Sequence, residues 1–125
     1  MKGRHWRHRM GFAAAGLREG WLRERSFRAH GWFALAGLLA LLILRPAPLW
    51  WALLAIVAAL VMGFELINSA LEGFIDLMHP AIHPEIKVIK DMAAGAVLLC
   101  GLAAVAVAAA LLVAAGPAAL ARWGW

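Results

Sequence analysis

The sequence predicts an all-α membrane protein, with an N-terminal amphipathic helix at the membrane interface followed by three membrane-spanning helices. Composition is the first reason: 65% of the 125 residues are hydrophobic and 15% are charged. Soluble domains run near 45–50% apolar and about 25% charged. Punctuation is the second, because the apolar stretches are separated by Arg45-Pro46-Ala47-Pro48 and by HPAIHPEIK from His79 to Lys87, where proline ends a helix. The third is a pair of acids, Glu65 and Glu72, following the fifteen uncharged residues Leu49 to Gly63. A carboxylate near the bilayer interior costs roughly 2.5 to 3.5 kcal/mol even on lenient insertion scales, so acids in such a place mark function.

Residues 1 to 9 read as a basic tail, and residues 10 to 125 as a single membrane domain. From Met10 to Arg28 the pattern is amphipathic: Met10, Leu17 and Trp21 share a face, with Arg18, Glu19, Arg23 and Arg25 off it. This predicts a surface helix over about 10–28. Glu24 breaks the pattern by joining the apolar side, where periodicity alone makes it a solvated charge at the edge of the stripe. Trp32 to Leu44 supplies thirteen apolar or Gly residues, short of the about 20 that a span needs, so the first span is extended back to residue 26 with Arg28 and His30 reaching outward. A second span is predicted over 49–78, about 45 Å at 1.5 Å per residue against a core of about 30 Å. One end must leave the hydrocarbon, and the acidic end is the one expected to emerge, with Trp50 and Trp51 anchoring the other. HPAIHPEIK is predicted as a loop, and the third span over 91–116, where Gly95, Gly101 and many alanines signal close helix packing.

Eight of the 12 Lys and Arg residues lie between Lys2 and Arg28, and Lys87 and Lys90 fall on the same side of the membrane. The positive-inside rule therefore predicts a cytoplasmic N-terminus, and the basic arm reads as anionic-lipid attraction rather than nucleic-acid binding. Cys100 has no partner for a disulfide or a cysteine-based metal site. Three helices make a thin bundle, so a polar site between them predicts a homo-oligomer.

At about 100° per residue, Glu65, Asn68, Ser69, Glu72 and Asp76 lie within roughly ±60° of one another, an acidic, hydrogen-bonding helix face. Such a face at a membrane boundary serves ion transport, helix pairing, or chemistry on something living at that boundary. Lys90-Asp91 is expected to open the last helix, where a cation and free N–H groups favour phosphate and Asp91 caps the helix. With Glu24 added, several carboxylates and one lysine form a set suited to Mg²⁺ bridging phosphates. A conducting oligomer needs polar residues across the whole membrane, and Leu49 to Gly63 offers none.

GLREGWLRERSFR from Gly16 to Arg28, ELINSALEGFID from Glu65 to Asp76 and KDMAAGAV from Lys90 to Val97 resemble, in order and spacing, the prokaryotic diacylglycerol kinase family. The resemblance covers about Gly11 to Gly116 and implies a homotrimer in a bacterial inner membrane with composite sites between subunits, MgATP as phosphoryl donor and a lipid alcohol as acceptor. By motif match it implies Glu65 as general base toward the lipid hydroxyl, and Glu24 and Glu72 as ligands of the divalent metal. It also implies Lys90 and Asp91 at the nucleotide, with Lys90 on the phosphates, His83 and Phe12 near the nucleotide, Arg28 near the lipid, and Asn68 and Asp76 in support. His30 departs from the pattern, standing where the better-known diacylglycerol kinases carry an acid. The His-Pro and Lys-Asp elements of the loop also resemble the undecaprenol kinase branch, so the acceptor stays open between diacylglycerol and undecaprenol. No Walker A loop or kinase-type glycine loop is present, which leaves phosphate binding to the metal, Lys90 and arginines.

Overall fold

Trp6–Arg23 (α1), Arg25–Leu44 (α2), Pro48–Met78 (α3) and Pro84–Arg122 (α4) are the helices of the computed structural model, which describes residues 5–124. The fold is all-helical, and α2, α3 and α4 are each long and apolar enough to cross a membrane. Lys2 and Arg4 of the basic tail lie outside the described residues.

α1 begins at Trp6 rather than Met10 because His5 caps it, its side chain accepting from the Arg7 N–H at 3.3 Å. It also ends sooner than periodicity predicts. Glu24 leaves the helical region, with φ −105° and ψ 109°, so the expected helix to Arg28 is two helices meeting at that residue. No Gly or Pro marks the break. Its chemical signature is Arg28, whose Nη1 donates to the carbonyls of Trp21 at 2.7 Å and Leu22 at 3.1 Å. Those are among the carbonyls that a helix C-terminus leaves without partners. α1 then packs against α2 and α3 through glycine: a Cβ at Gly20 would run into Leu66 Cδ1, and one at Gly31 would meet the Trp21 ring at 2.5 Å. Trp21 in turn stands edge-on to Trp32, their centroids 5.8 Å apart.

Arg45 ends α2 in the left-handed region, at φ 50°, and Pro48 opens α3 at a position where its missing N–H costs nothing. The last helix differs most from expectation. α4 starts at Pro84 rather than Asp91, because His83 caps it by accepting from the Glu85 N–H at 3.1 Å. The segment Pro84 to Lys87, expected in the loop, is therefore helical, and Asp91 sits two turns in rather than capping the helix. The free N–H groups belong to Pro84's turn, not to Lys90 and Asp91. At the far end α4 runs past Gly116 and through Pro117 to Arg122. Its 39 residues measure about 58 Å at 1.5 Å per residue, so its ends project beyond a hydrocarbon core of about 30 Å.

α3 and α4 form the most extensive helix contact. The apolar core sits at the RPAP end, where Leu41, Leu44, Leu111 and Ala119 are buried with Trp50, Trp51 and Leu54 packed around them. Arg122 closes that end by donating from Nη2 to the Leu44 carbonyl at 2.5 Å. The glycines expected to allow close packing do not serve it within this chain: a Cβ at Gly95 or Gly101 would meet nothing within 4 Å.

Candidate functional site

The buried seam of α3 runs Val57, Val61, Glu65, at steps of four residues, so the helix repeat that buries two valines also buries the first acid. Glu65 is 7% exposed. Further along the same face Asn68, Ser69 and Glu72 are half-buried, and Asp76 is exposed. The face predicted from spacing thus becomes a gradient from buried to open. Asn68 Nδ2 donates to Glu72 Oε1 at 3.5 Å, one turn along, while Asn68 Oδ1 is buried without a hydrogen-bond partner among the described residues.

Beside the open end of this face, Glu72, Asp76, Lys90, Asp91 and the 79–83 connection line a cleft of about 430 Å³. Cations and anions are sorted there. Lys90 Nζ pairs with Asp76 Oδ1 at 2.7 Å, joining α4 to α3, and Lys87 pairs with Asp91 along α4. Glu24 and Glu72 have no salt bridge among the described residues. His83 Nδ1 is engaged as the α4 cap, with the His79 ring centroid 6.2 Å from its own.

The N-terminal residues expected at the site are spread out. Glu24 is half-buried at the α1–α2 junction, Phe12 on α1 is 45% exposed, and Arg28 is turned toward the end of α1. Among the described residues no three His, Cys, Asp or Glu side chains converge on a metal-sized space. One chain therefore brings Glu72, Asp76, Lys90 and Asp91 to one cleft, and Glu24 does not line it.

Two features escaped the sequence. Arg28 acts on α1, and its signal was an arginine placed just beyond a helix end. His30 of α2 faces Glu65 of α3, Nε2 to Oε2 3.7 Å. A contact between helices 35 positions apart has no local pattern to betray it.

A family model described as prokaryotic diacylglycerol kinase matches residues 11–112. A protein of Synechocystis sp. named diacylglycerol kinase is 40% identical over 102 residues, 81% of this chain and 58% of that protein. A Bacillus subtilis protein named undecaprenol kinase is 33% identical over 85 residues, 68% of this chain and 69% of its own length. An Escherichia coli diacylglycerol kinase is 33% identical over 95 residues, 76% and 78% of the two chains. The chain thus spans less than two thirds of the Synechocystis relative. It belongs to the prokaryotic diacylglycerol kinase family, and with three apolar helices it is a multi-pass membrane protein.

Proposed function

We propose that this member of the prokaryotic diacylglycerol kinase family transfers the γ-phosphoryl group of ATP to the primary hydroxyl of diacylglycerol, giving phosphatidate and ADP at the cytoplasmic face of the membrane. The observation that carries the reading is the gradient along α3, from buried Glu65 to half-buried Glu72 to exposed Asp76. ATP cannot enter hydrocarbon and the lipid hydroxyl cannot leave the interface, so their meeting point must grade from apolar to aqueous over a few helical turns. Glu65 and Glu72 are seven residues apart, about 10.5 Å along the axis, with one end of that interval toward the lipid and the other toward the nucleotide.

Glu65 takes the proton of the lipid hydroxyl as its oxygen forms the bond to the γ-phosphorus and the bond to the ADP oxygen breaks. Glu72 and Glu24, free of cationic partners among the described residues, fit a divalent metal. The buried, unpartnered Asn68 Oδ1 beside Glu72 adds to an all-oxygen set of the kind that Mg²⁺ selects. When bound, that ion neutralises charge on the β- and γ-phosphates. Lys90 leaves Asp76 for a phosphate oxygen, Asp91, His83 and Phe12 border the nucleotide, and Arg28 keeps the α1–α2 junction in place beside the lipid. Because Glu24 stands apart from the cleft, the site is completed between subunits of a homotrimer, with the surface helix lying in the interface and the N-terminus cytoplasmic.

Undecaprenol is the second acceptor, favoured by the likeness to the Bacillus subtilis protein. Purified protein in mixed micelles with MgATP and either lipid tests both readings at once. Faster labelling of diacylglycerol is expected. Faster labelling of undecaprenol moves the acceptor, and labelling of neither sinks the kinase.

A further inference from the structure

We infer that His30 is a positioning residue for Glu65, holding the carboxylate in the orientation from which it accepts the lipid proton. The inference rests on Glu65 being the general base. Phe27, His30, Ala34, Leu41 and Leu44 are buried or half-buried at steps of three, four and seven, so His30 belongs to the face of α2 that meets the other helices. Its Nε2 lies 3.7 Å from Glu65 Oε2, with the two side chains 29% and 9% exposed. No other ion pair reaches Glu65 among the described residues.

That distance is too long for a hydrogen bond and short enough to become one with a small rotation of either side chain. Catalytic hydrogen bonds commonly stand open in the unliganded enzyme and tighten around substrate. With Nε2 carrying its proton, the imidazole donates to Oε2 and directs Oε1, the other oxygen, at the hydroxyl. A base rotating freely about its terminal torsion would sample that direction only part of the time. The alternative is that His30 merely offsets a carboxylate in apolar surroundings. In that case its loss lowers the fraction of folded protein, and each folded enzyme turns over as before.

The experiment compares wild type, H30A, H30Q, E65Q and the H30A/E65Q double variant as purified oligomers in micelles, normalised to folded protein, with ATP and lipid varied separately. H30A should lower kcat on the order of tenfold to a hundredfold with both KM values within about twofold, the range of a misplaced catalytic group. H30Q, which keeps a side-chain N–H donor, should recover part of the loss. The double variant should be no slower than E65Q. Wild-type kcat for H30A with an inactive E65Q overturns the role of His30 alone. Normal turnover by E65Q overturns the general base itself. Should H30A fail to fold, ¹⁵N spectra of histidine-labelled protein decide, with the His30 signals assigned by H30Q: they must shift on E65Q, and unchanged signals overturn the contact.

Discussion

The two ends of the bundle satisfy their polar groups in opposite ways. At the RPAP end, Leu41, Leu44, Leu111 and Ala119 are buried together, and Arg122 donates across the interface to the carbonyl that ends α2. At the acidic end, Glu65 has a histidine at 3.7 Å, and among the described residues Glu24 and Glu72 have no cation and Asn68 Oδ1 has no donor. The apolar seam Val57–Val61 simply stops at an acid. One end is a finished fold within a single chain, whereas the other holds carboxylates and an amide in positions that cost free energy unless something else binds there. Unspent hydrogen-bonding capacity is what the proposed phosphoryl-transfer site requires, and a packed helical end elsewhere allows for it.

Glu65→Gln separates the ends most sharply. It keeps the shape of the buried side chain and removes the proposed base, so turnover should fall by about 10²- to 10⁴-fold, the range for losing general base catalysis. The protein should elute from a sizing column as the wild type does. A variant of normal speed would leave Glu65 as packing and make the acidic end no different in kind from the other. Leu111→Ala is the converse. Lipid tails are as apolar as leucine, so only the packing part of the usual cost applies, about 2 kcal/mol rather than the up to about 5 seen in soluble cores. Thermal unfolding in detergent should shift down while kcat per folded enzyme stays put.

The sequence carried much of the acidic end and little of what organises it. Spacing alone placed Glu65, Asn68, Ser69, Glu72 and Asp76 on one face, because a helix repeat is local information. It did not say that burial falls steadily along that face, which depends on where α2 and α4 lie. By composition His83-Pro84 looks like part of a loop, while a histidine ring nitrogen over a first-turn N–H makes it the cap that starts α4. Periodicity hides the split at Glu24 for the complementary reason: the carbonyls left by the break are satisfied by Arg28, a side chain four positions beyond it in sequence. Pairings such as His30 with Glu65 and Arg122 with Leu44 join distant segments, and no periodicity reports them.

Lys90 lies between these two regimes, being both at the cleft and already paired, 2.7 Å from Asp76. If its work is on phosphate, Lys90→Met should raise the KM for ATP on the order of tenfold, the value of one charge-assisted contact, with the KM for lipid little changed. Asp76→Asn frees the lysine and should leave the ATP KM equal or lower. A rise in the ATP KM for Asp76→Asn matching that of Lys90→Met would show the ion pair itself to be what the nucleotide needs, and would place this corner of the cleft with the structural end.

The smallest effect belongs to Arg122. Its Nη2 serves the Leu44 carbonyl at 2.5 Å and lies 3.4 Å from that of Ile43, so it completes the C-terminus of α2 from another helix, as Arg28 completes that of α1. Arg122→Gln shortens the reach, and both carbonyls must turn to water or to the neighbouring Arg45. The loss of one such bond is about 1 kcal/mol when solvent can substitute, readable as a small drop in the detergent unfolding midpoint and nothing in kcat. Arg28→Gln removes the analogous bonds at the acidic end, where the junction they hold carries Glu24. There the same chemical loss should reach turnover, because the displaced residue is one proposed to hold the metal. Equal kinetic silence in both variants would mean that Glu24 keeps its place without the arginine, and that the two caps differ only in address.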